Sequence, residues 1–188
     1  MKTATLMAKS QSPTTAYTPS GTSSVRRQRS RYSVRLWSVK HAREFEAVYH
    51  LLADVFLKLH PLWKLIGYKR VERPVMLVEK TIKSFLFDCR MCGQCALSDT
   101  GMSCPMNCPK QLRNGPCGGV RANGHCEVEP DMPCVWVQAW EGSQRMRASN
   151  NILKVKPPVD QSLRDSSAWL RVTAQKAVER EQAGDSNS

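Results

Sequence analysis

The sequence predicts a small, irregular, metal-stabilised cysteine-rich module preceded by one or two α-helices, with a disordered N-terminal tail. Three observations carry this reading. All eight cysteines of the 188 residues fall between Cys89 and Cys134. The same stretch holds Gly93, Gly101, Gly115, Gly118, Gly119 and Gly124 and five prolines, so loops held by cross-links are expected there rather than long periodic elements. Ahead of it, apolar residues recur at three- and four-residue steps, the spacing of one helical face.

Residues 1–38 form the tail. Ser, Thr, Ala, Gln and Arg dominate it, and its few bulky apolar groups cannot offset the entropy of ordering the chain. Residues 1–43 carry nine Lys/Arg and no acid, so most of the formal net charge of +12 sits here. Transit peptides share this composition, but the segment reads better as a solvated bacterial tail. It has no apolar stretch of the secretory kind, and no run of 18 apolar residues occurs anywhere. A cytoplasmic chain without a membrane span is expected.

Residues 39–87 should be amphipathic helix. Phe45, Val48, Tyr49, Leu52, Val55, Phe56, Leu59, Leu62, Trp63 and Ile66 make one stripe, bent or broken near Pro61. A second helix is expected to start at Arg73–Pro74, with Pro74 in the first turn, and to end at the first cysteine. Its apolar side is Leu77, Val78, Ile82, Phe85 and Leu86. Residues 88–142 are the cysteine module, closed by the patch Val135, Trp136, Val137 and Trp140. Residues 143–188 should run extended through Lys156–Pro157–Pro158 to a short helix at Trp169–Leu170 and a frayed end.

The chemistry lies in the spacing Cys89-x2-Cys92-x2-Cys95-x8-Cys104-x3-Cys108-x8-Cys117-x8-Cys126-x7-Cys134. Three cysteines at x2-x2 turn three thiolates into one small volume, as three corners of an iron–sulfur cube require. In bacterial ferredoxins the run continues with x3 and a Cys-Pro pair; here the x3 step separates Cys104 from Cys108, and Pro105 and Pro109 follow them. Eight thiolates make two sets of four. Two [4Fe–4S] clusters, one cluster with one four-cysteine Zn2+ site, or two zinc sites all satisfy the count. The triple favours iron–sulfur at the first site, because zinc modules use paired Cys-x2-Cys knuckles, and the second site stays open between the two. Disulfides lack their usual compartment. His125, next to Cys126, is superfluous as a ligand beside eight cysteines. Gly93 and the Gly118–Gly119 pair are small enough to let backbone N–H groups approach sulfur, or serve simply as turn residues.

The charge of the tail does not extend to the module. Residues 85–140 contain four basic and five acidic side chains and no basic recognition helix, so nucleic-acid binding is not expected. No G-x-G-x-x-G, Walker A, H-E-x-x-H or G-x-S-x-G motif occurs, which removes the familiar nucleotide-binding and hydrolytic devices.

The run Cys89-Arg-Met-Cys-Gly-Gln-Cys95, then Cys104-Pro-Met-Asn-Cys-Pro-Lys-Gln-Leu-Arg-Asn-Gly-Pro-Cys-Gly-Gly119, then Gly124-His-Cys-Glu-Val128 and Cys134-Val-Trp136, resembles the C-terminal domain family of methylenetetrahydrofolate reductase, over roughly residues 80–142. In that family the module is fused to, or encoded beside, a flavin-containing barrel that reduces methylenetetrahydrofolate. The resemblance implies metal or cluster ligation by Cys89, Cys92, Cys95, Cys104, Cys108, Cys117, Cys126 and Cys134, and no catalytic residue. The barrel itself is absent here: the residues ahead of the module have room for helices and a tail, not for eight strand–helix units. The expectation is therefore an iron–sulfur accessory subunit of a one-carbon oxidoreductase. It would relay electrons from an unidentified donor to a flavin-containing barrel partner. The alternative is a zinc-stabilised structural adaptor for a reductase or methyltransferase. The stripe from Phe45 to Ile66 and the tryptophans Trp136 and Trp140 are the candidate docking surface.

Overall fold

The computed structural model describes residues 32–185; the expectation of disorder for the tail falls mostly on residues outside that range. The described chain is mainly helical, with an irregular cysteine-rich stretch in the middle. The helices are α1 (residues 32–40), α2 (Ala42–Lys58), α3 (His60–Ile66), α4 (Tyr68–Phe87), α5 (Val135–Ser143) and α6 (Ala168–Asp185). Short 3-10 turns lie at Pro105–Asn107, Ser149–Leu153 and Gln161–Leu163.

Four helical segments, rather than one or two, precede the module. The helical chain is already formed at residue 32, so the tail boundary placed at 38 falls inside α1. Ser38 explains why this segment is held: fully buried, its Oγ donates to the carbonyls of Val34 at 3.1 Å and Leu86 at 2.9 Å, pinning α1 to the end of α4. The break expected near Pro61 occurs at Leu59. Pro61 lies in the first turn of α3, where its missing N–H costs nothing.

The second helix starts earlier than expected. Gly67, at φ 91° and ψ 120°, separates α3 from α4 in a conformation that a side chain disfavours. From there α4 runs unbroken through Pro74, which lies in its interior and not its first turn. The ring removes one intrahelical hydrogen bond, and the flanking turns and the packing of α4 carry the helix across the gap.

The larger correction concerns which side of α4 is buried. Of the apolar side read from the sequence, Leu77, Val78, Ile82 and Phe85 are exposed, Phe85 by 72%, and Leu86 alone packs at the edge of the core. Val71, Glu79, Lys83 and Phe87 are buried instead. Helix α6 and the cysteine loops pack on that side, and they supply partners for charge, so a Glu–Lys pair can occupy it.

Helix α6 is 18 residues long, well beyond the short helix expected at Trp169–Leu170. Ser167 caps it, its Oγ accepting from the Leu170 N–H at 3.3 Å, and Ala168, Leu170, Thr173 and Ala177 form its buried side. It packs against α2 and α4 and touches α3. Phe56 of α2 meets the Trp169 ring edge-to-face at 5.8 Å.

Two apolar clusters hold the module. In one, Ala42, Phe87, Leu97, Met102, Cys104 and Met146 pack with Phe45, Leu86 and Cys95 at their edge. In the other, Cys108, Cys126, Met132, Cys134, Val135, Trp136 and Ala139 pack with Cys117, Leu112 and Val120. Trp136 is thus core rather than docking surface, whereas Trp140 is 54% exposed. Gly101 and Gly142 let the loop and α5 approach backbone to backbone, since a Cβ on either would strike the main chain of the other segment. Glu46 ties α2 to the far side of the module. Its buried carboxylate accepts from the N–H groups of Arg147 at 2.7 Å and Ala148 at 3.1 Å.

Candidate metal centre

Helix α4 delivers the first cysteine. It ends at Asp88 in the left-handed conformation, φ 50° and ψ 47°, and the Cys89 N–H closes the end by donating to the Lys83 carbonyl at 3.3 Å. Met91 (φ 46°) and Gly93 (φ 73°) follow, also left-handed. Three such residues within six positions coil the chain tightly, and the sulfurs of Cys89, Cys92 and Cys95 line one recess. Cys104, at the start of the Pro105–Asn107 turn, lines it too. The recess is open to solvent on one side. Its remaining wall includes Glu79, Lys83, Met91, Arg113 and Ser166.

The other four cysteines lie together elsewhere. Cys108, Cys126 and Cys134 are buried in the second apolar cluster, with Cys117 against it. The loops that carry them pair through two isolated antiparallel bridges, Val120 with Cys126 and His125 with Pro133, and through Cys126 N–H to Met132 O at 2.9 Å and Cys134 N–H to Gly124 O at 3.0 Å. One 3-10 turn therefore separates the two quartets, with Cys104 at one end and Cys108 at the other. All eight cysteines are free thiols. Among the described residues, no group of three or more His, Cys, Asp or Glu side chains is drawn together as the ligands of one metal ion. His125 is committed elsewhere, its Nδ1 lying 2.7 Å from the Pro130 carbonyl.

Burial shapes the electrostatics of the first quartet. It pushes the Cys89 thiol up to about 11, even though the Met91 N–H at 3.4 Å favours the thiolate. Cys104 is pushed up to about 12, by burial first and then by the neighbouring Cys89. Cations line the same space. Arg113 holds the Gln94 carbonyl through Nη2 at 2.9 Å and reaches the Cys92 sulfur through Nη1 at 3.9 Å. Lys83 Nζ lies 2.6 Å from Glu79 Oε1 with both side chains almost fully buried. Burial alone would lower the Lys83 ammonium, but the charges of Cys95 and Glu79 beside it hold it above its ordinary value.

The C-terminal segment straps this site. Asp165 N–H donates to Met91 O at 2.9 Å, Asp160 N–H to Gln94 Oε1 at 2.9 Å, and Arg171 donates to Gly93 O. Gly93 is needed for this contact and not for an approach to sulfur, because a Cβ there would collide with the Leu163 carbonyl.

The thiol donors fit a metal or cluster. They are soft, they come in a group of four, they are partly shielded from water, and fixed cations offset the charge that four thiolates would bring. A family model described as methylene-tetrahydrofolate reductase C terminal matches residues 68–162, from the first residue of α4 to the strap over the cysteine recess. The chain belongs to this family. The methylene-tetrahydrofolate reductase C-terminal match covers both cysteine quartets and α5, and it leaves α1 to α3 and α6 outside. No curated protein and no solved structure gives a significant match. The cysteine spacing singles out all eight candidate ligands, but it does not point to Glu79, Lys83 and Arg113 in the recess wall. The i,i+4 spacing of Glu79 and Lys83 was a visible signal, but it is equally the spacing of a surface ion pair.

With Cys89 and Cys104 protonated at neutral pH, metal uptake by the first quartet must release their protons. Binding is expected to strengthen as pH rises from 6 to 8, because thiol protons compete with the metal. Titrating the metal-free protein with Cd2+ in buffers of different ionisation enthalpy reads the proton count calorimetrically; zero release removes this account.

Proposed function

We propose that this chain is an iron–sulfur accessory subunit of a methylenetetrahydrofolate reductase-type oxidoreductase, serving a flavin-containing partner. The observation that carries the reading is the sorting of the cysteines: Cys89, Cys92, Cys95 and Cys104 border one recess, with Lys83 and Arg113 in its wall. Four thiols around one recess supply one thiolate for each iron of a cube, and three of them come from the x2-x2 run that iron–sulfur sites use. A [4Fe–4S] cluster bound there supplies one-electron transfer.

The chain's own residues have definable tasks. The four thiolates hold the group, and the strap from Asp160 to Arg171 covers one side and limits water. Lys83 and Arg113 offset negative charge. The partner surface is best supplied by the apolar residues that the fold leaves outside: Val48, Leu51 and Val55 on α2, Leu62, Leu65 and Ile66 on α3, and Val78, Ile82 and Phe85 on α4. Among the described residues no helix is long and apolar enough to cross a membrane, so a membrane span does not account for them.

Cys108, Cys126 and Cys134 are buried in an apolar cluster with Cys117 at its edge, which also suits a closed structural zinc site. Purification without oxygen, with iron, sulfide and zinc measured per chain, tests both readings. About four irons with matching sulfide, and a shoulder near roughly 400 nm that dithionite bleaches, are expected for the first quartet. Zinc without sulfide in well-folded protein would reject the electron-transfer role and leave an adaptor.

A further inference from the structure

We infer that Lys83 is a potential-setting residue: its buried ammonium, held beside the Cys89–Cys92–Cys95–Cys104 recess, favours the reduced state of the group bound there. This rests on the iron–sulfur reading of that recess. The side chain is 4% exposed, and its charge is fixed by three contacts. Nζ donates to Glu79 Oε1 at 2.6 Å, lies 5.1 Å from the centre of the Trp169 ring, and shares the wall of the recess with the four cysteines, Cys89 being six residues on. Glu79 in turn cannot swing away. Its other oxygen accepts from Ser167 Oγ at 2.7 Å and from the Trp169 N–H at 3.3 Å, at the start of α6.

A buried lysine is costly unless something nearby needs its charge. Glu79 accounts for part of this. The remainder lies across the recess, where Lys83 is drawn to Cys95 and itself stabilises the thiolate of Cys89. Both side chains of the pair line the recess, but the second carboxylate oxygen is taken up by Ser167 and the Trp169 N–H, which leaves Lys83 as the pair's uncommitted charge beside the thiols. Reduction adds one electron to the bound group, supplied by dithionite in the test, and breaks no bond in the protein. A fixed positive charge in a low-dielectric wall stabilises that extra negative charge more than it stabilises the oxidised state.

The test is a redox titration of the anaerobically purified full chain, followed by electron paramagnetic resonance, for the parent, Lys83→Met and Lys83→Arg. Lys83→Met should lower the reduced-to-oxidised ratio at fixed potential about tenfold, a fall of about 59 mV in midpoint for a one-electron couple. Lys83→Arg, which keeps the charge, should stay near the parent. If Lys83→Met does not fold, the double variant with Glu79→Gln leaves no buried charge and should shift the midpoint in the same direction by less. Equal midpoints in charged and uncharged variants, with iron and sulfide unchanged, overturn the inference and leave the cluster reading standing. A chain that binds no iron overturns both.

Discussion

Under the proposed iron–sulfur reading, replacing Cys104 with serine is expected to empty the first cysteine quartet of metal and spare the second. Cys104 borders the recess with Cys89, Cys92 and Cys95, while Cys108, four residues on, belongs to the apolar cluster of Cys126 and Cys134. A serine oxygen is a harder and poorer ligand than a thiolate, so a site that needs four sulfurs should lose most of its occupancy. Serine at Cys89, Cys92 or Cys95 should copy the effect, and serine at Cys117, Cys126 or Cys134 should deplete the other site. Metal and sulfide counts for the eight single variants therefore fall into two groups of four. Any other grouping, with Cys104 and Cys108 exchanged for instance, would refute the division.

Glu79→Ala should be among the most destabilising substitutions outside the cysteines. It removes the hydrogen-bond partner of a buried ammonium and the acceptor for Ser167 Oγ and the Trp169 N–H at once. Breaking a buried ion pair by deleting one partner typically costs about 3–5 kcal/mol, because the survivor stays buried and uncompensated. Glu79→Leu combined with Lys83→Met should recover much of the loss, since two apolar groups leave no charge in the core. Denaturant midpoints for the two singles and the double form the cycle that measures this. A loss near that of an ordinary surface substitution in Glu79→Ala would show that the pair is not buried as described.

The first three candidate ligands were legible in the sequence because their spacing is local: x2-x2 brings Cys89, Cys92 and Cys95 together whatever the rest of the chain does. The membership of Cys104 was not, since x8 and x3 say nothing of which side of the Pro105–Asn107 turn each thiol faces. Helix α4 shows the limit of periodicity. Its stripe Leu77, Val78, Ile82 and Phe85 marked a helix but not whether protein core or a partner covers it, because a stripe identifies one face and not what lies against it. The buried face could be charged only because Ser167, Trp169 and the cysteine recess, all distant in sequence, converge on it. Likewise Trp169 and Leu170 announced a helix whose length depended on Ser167 and on the packing of α2, neither of which a window around Trp169 contains.

The family match opens at Tyr68, immediately after the Gly67 break, which looks like a natural place to cut. The cores say otherwise. Ala42 and Phe45 of α2 complete the cluster around Phe87 and Cys104, and Glu46 anchors Arg147 and Ala148 across the module. A fragment beginning at residue 68 would bare this apolar surface and strand two backbone N–H groups. In this chain the border of the family resemblance runs through the inside of one packed unit, and α1 and α2 are as much a part of the cysteine module's core as the residues the family model covers.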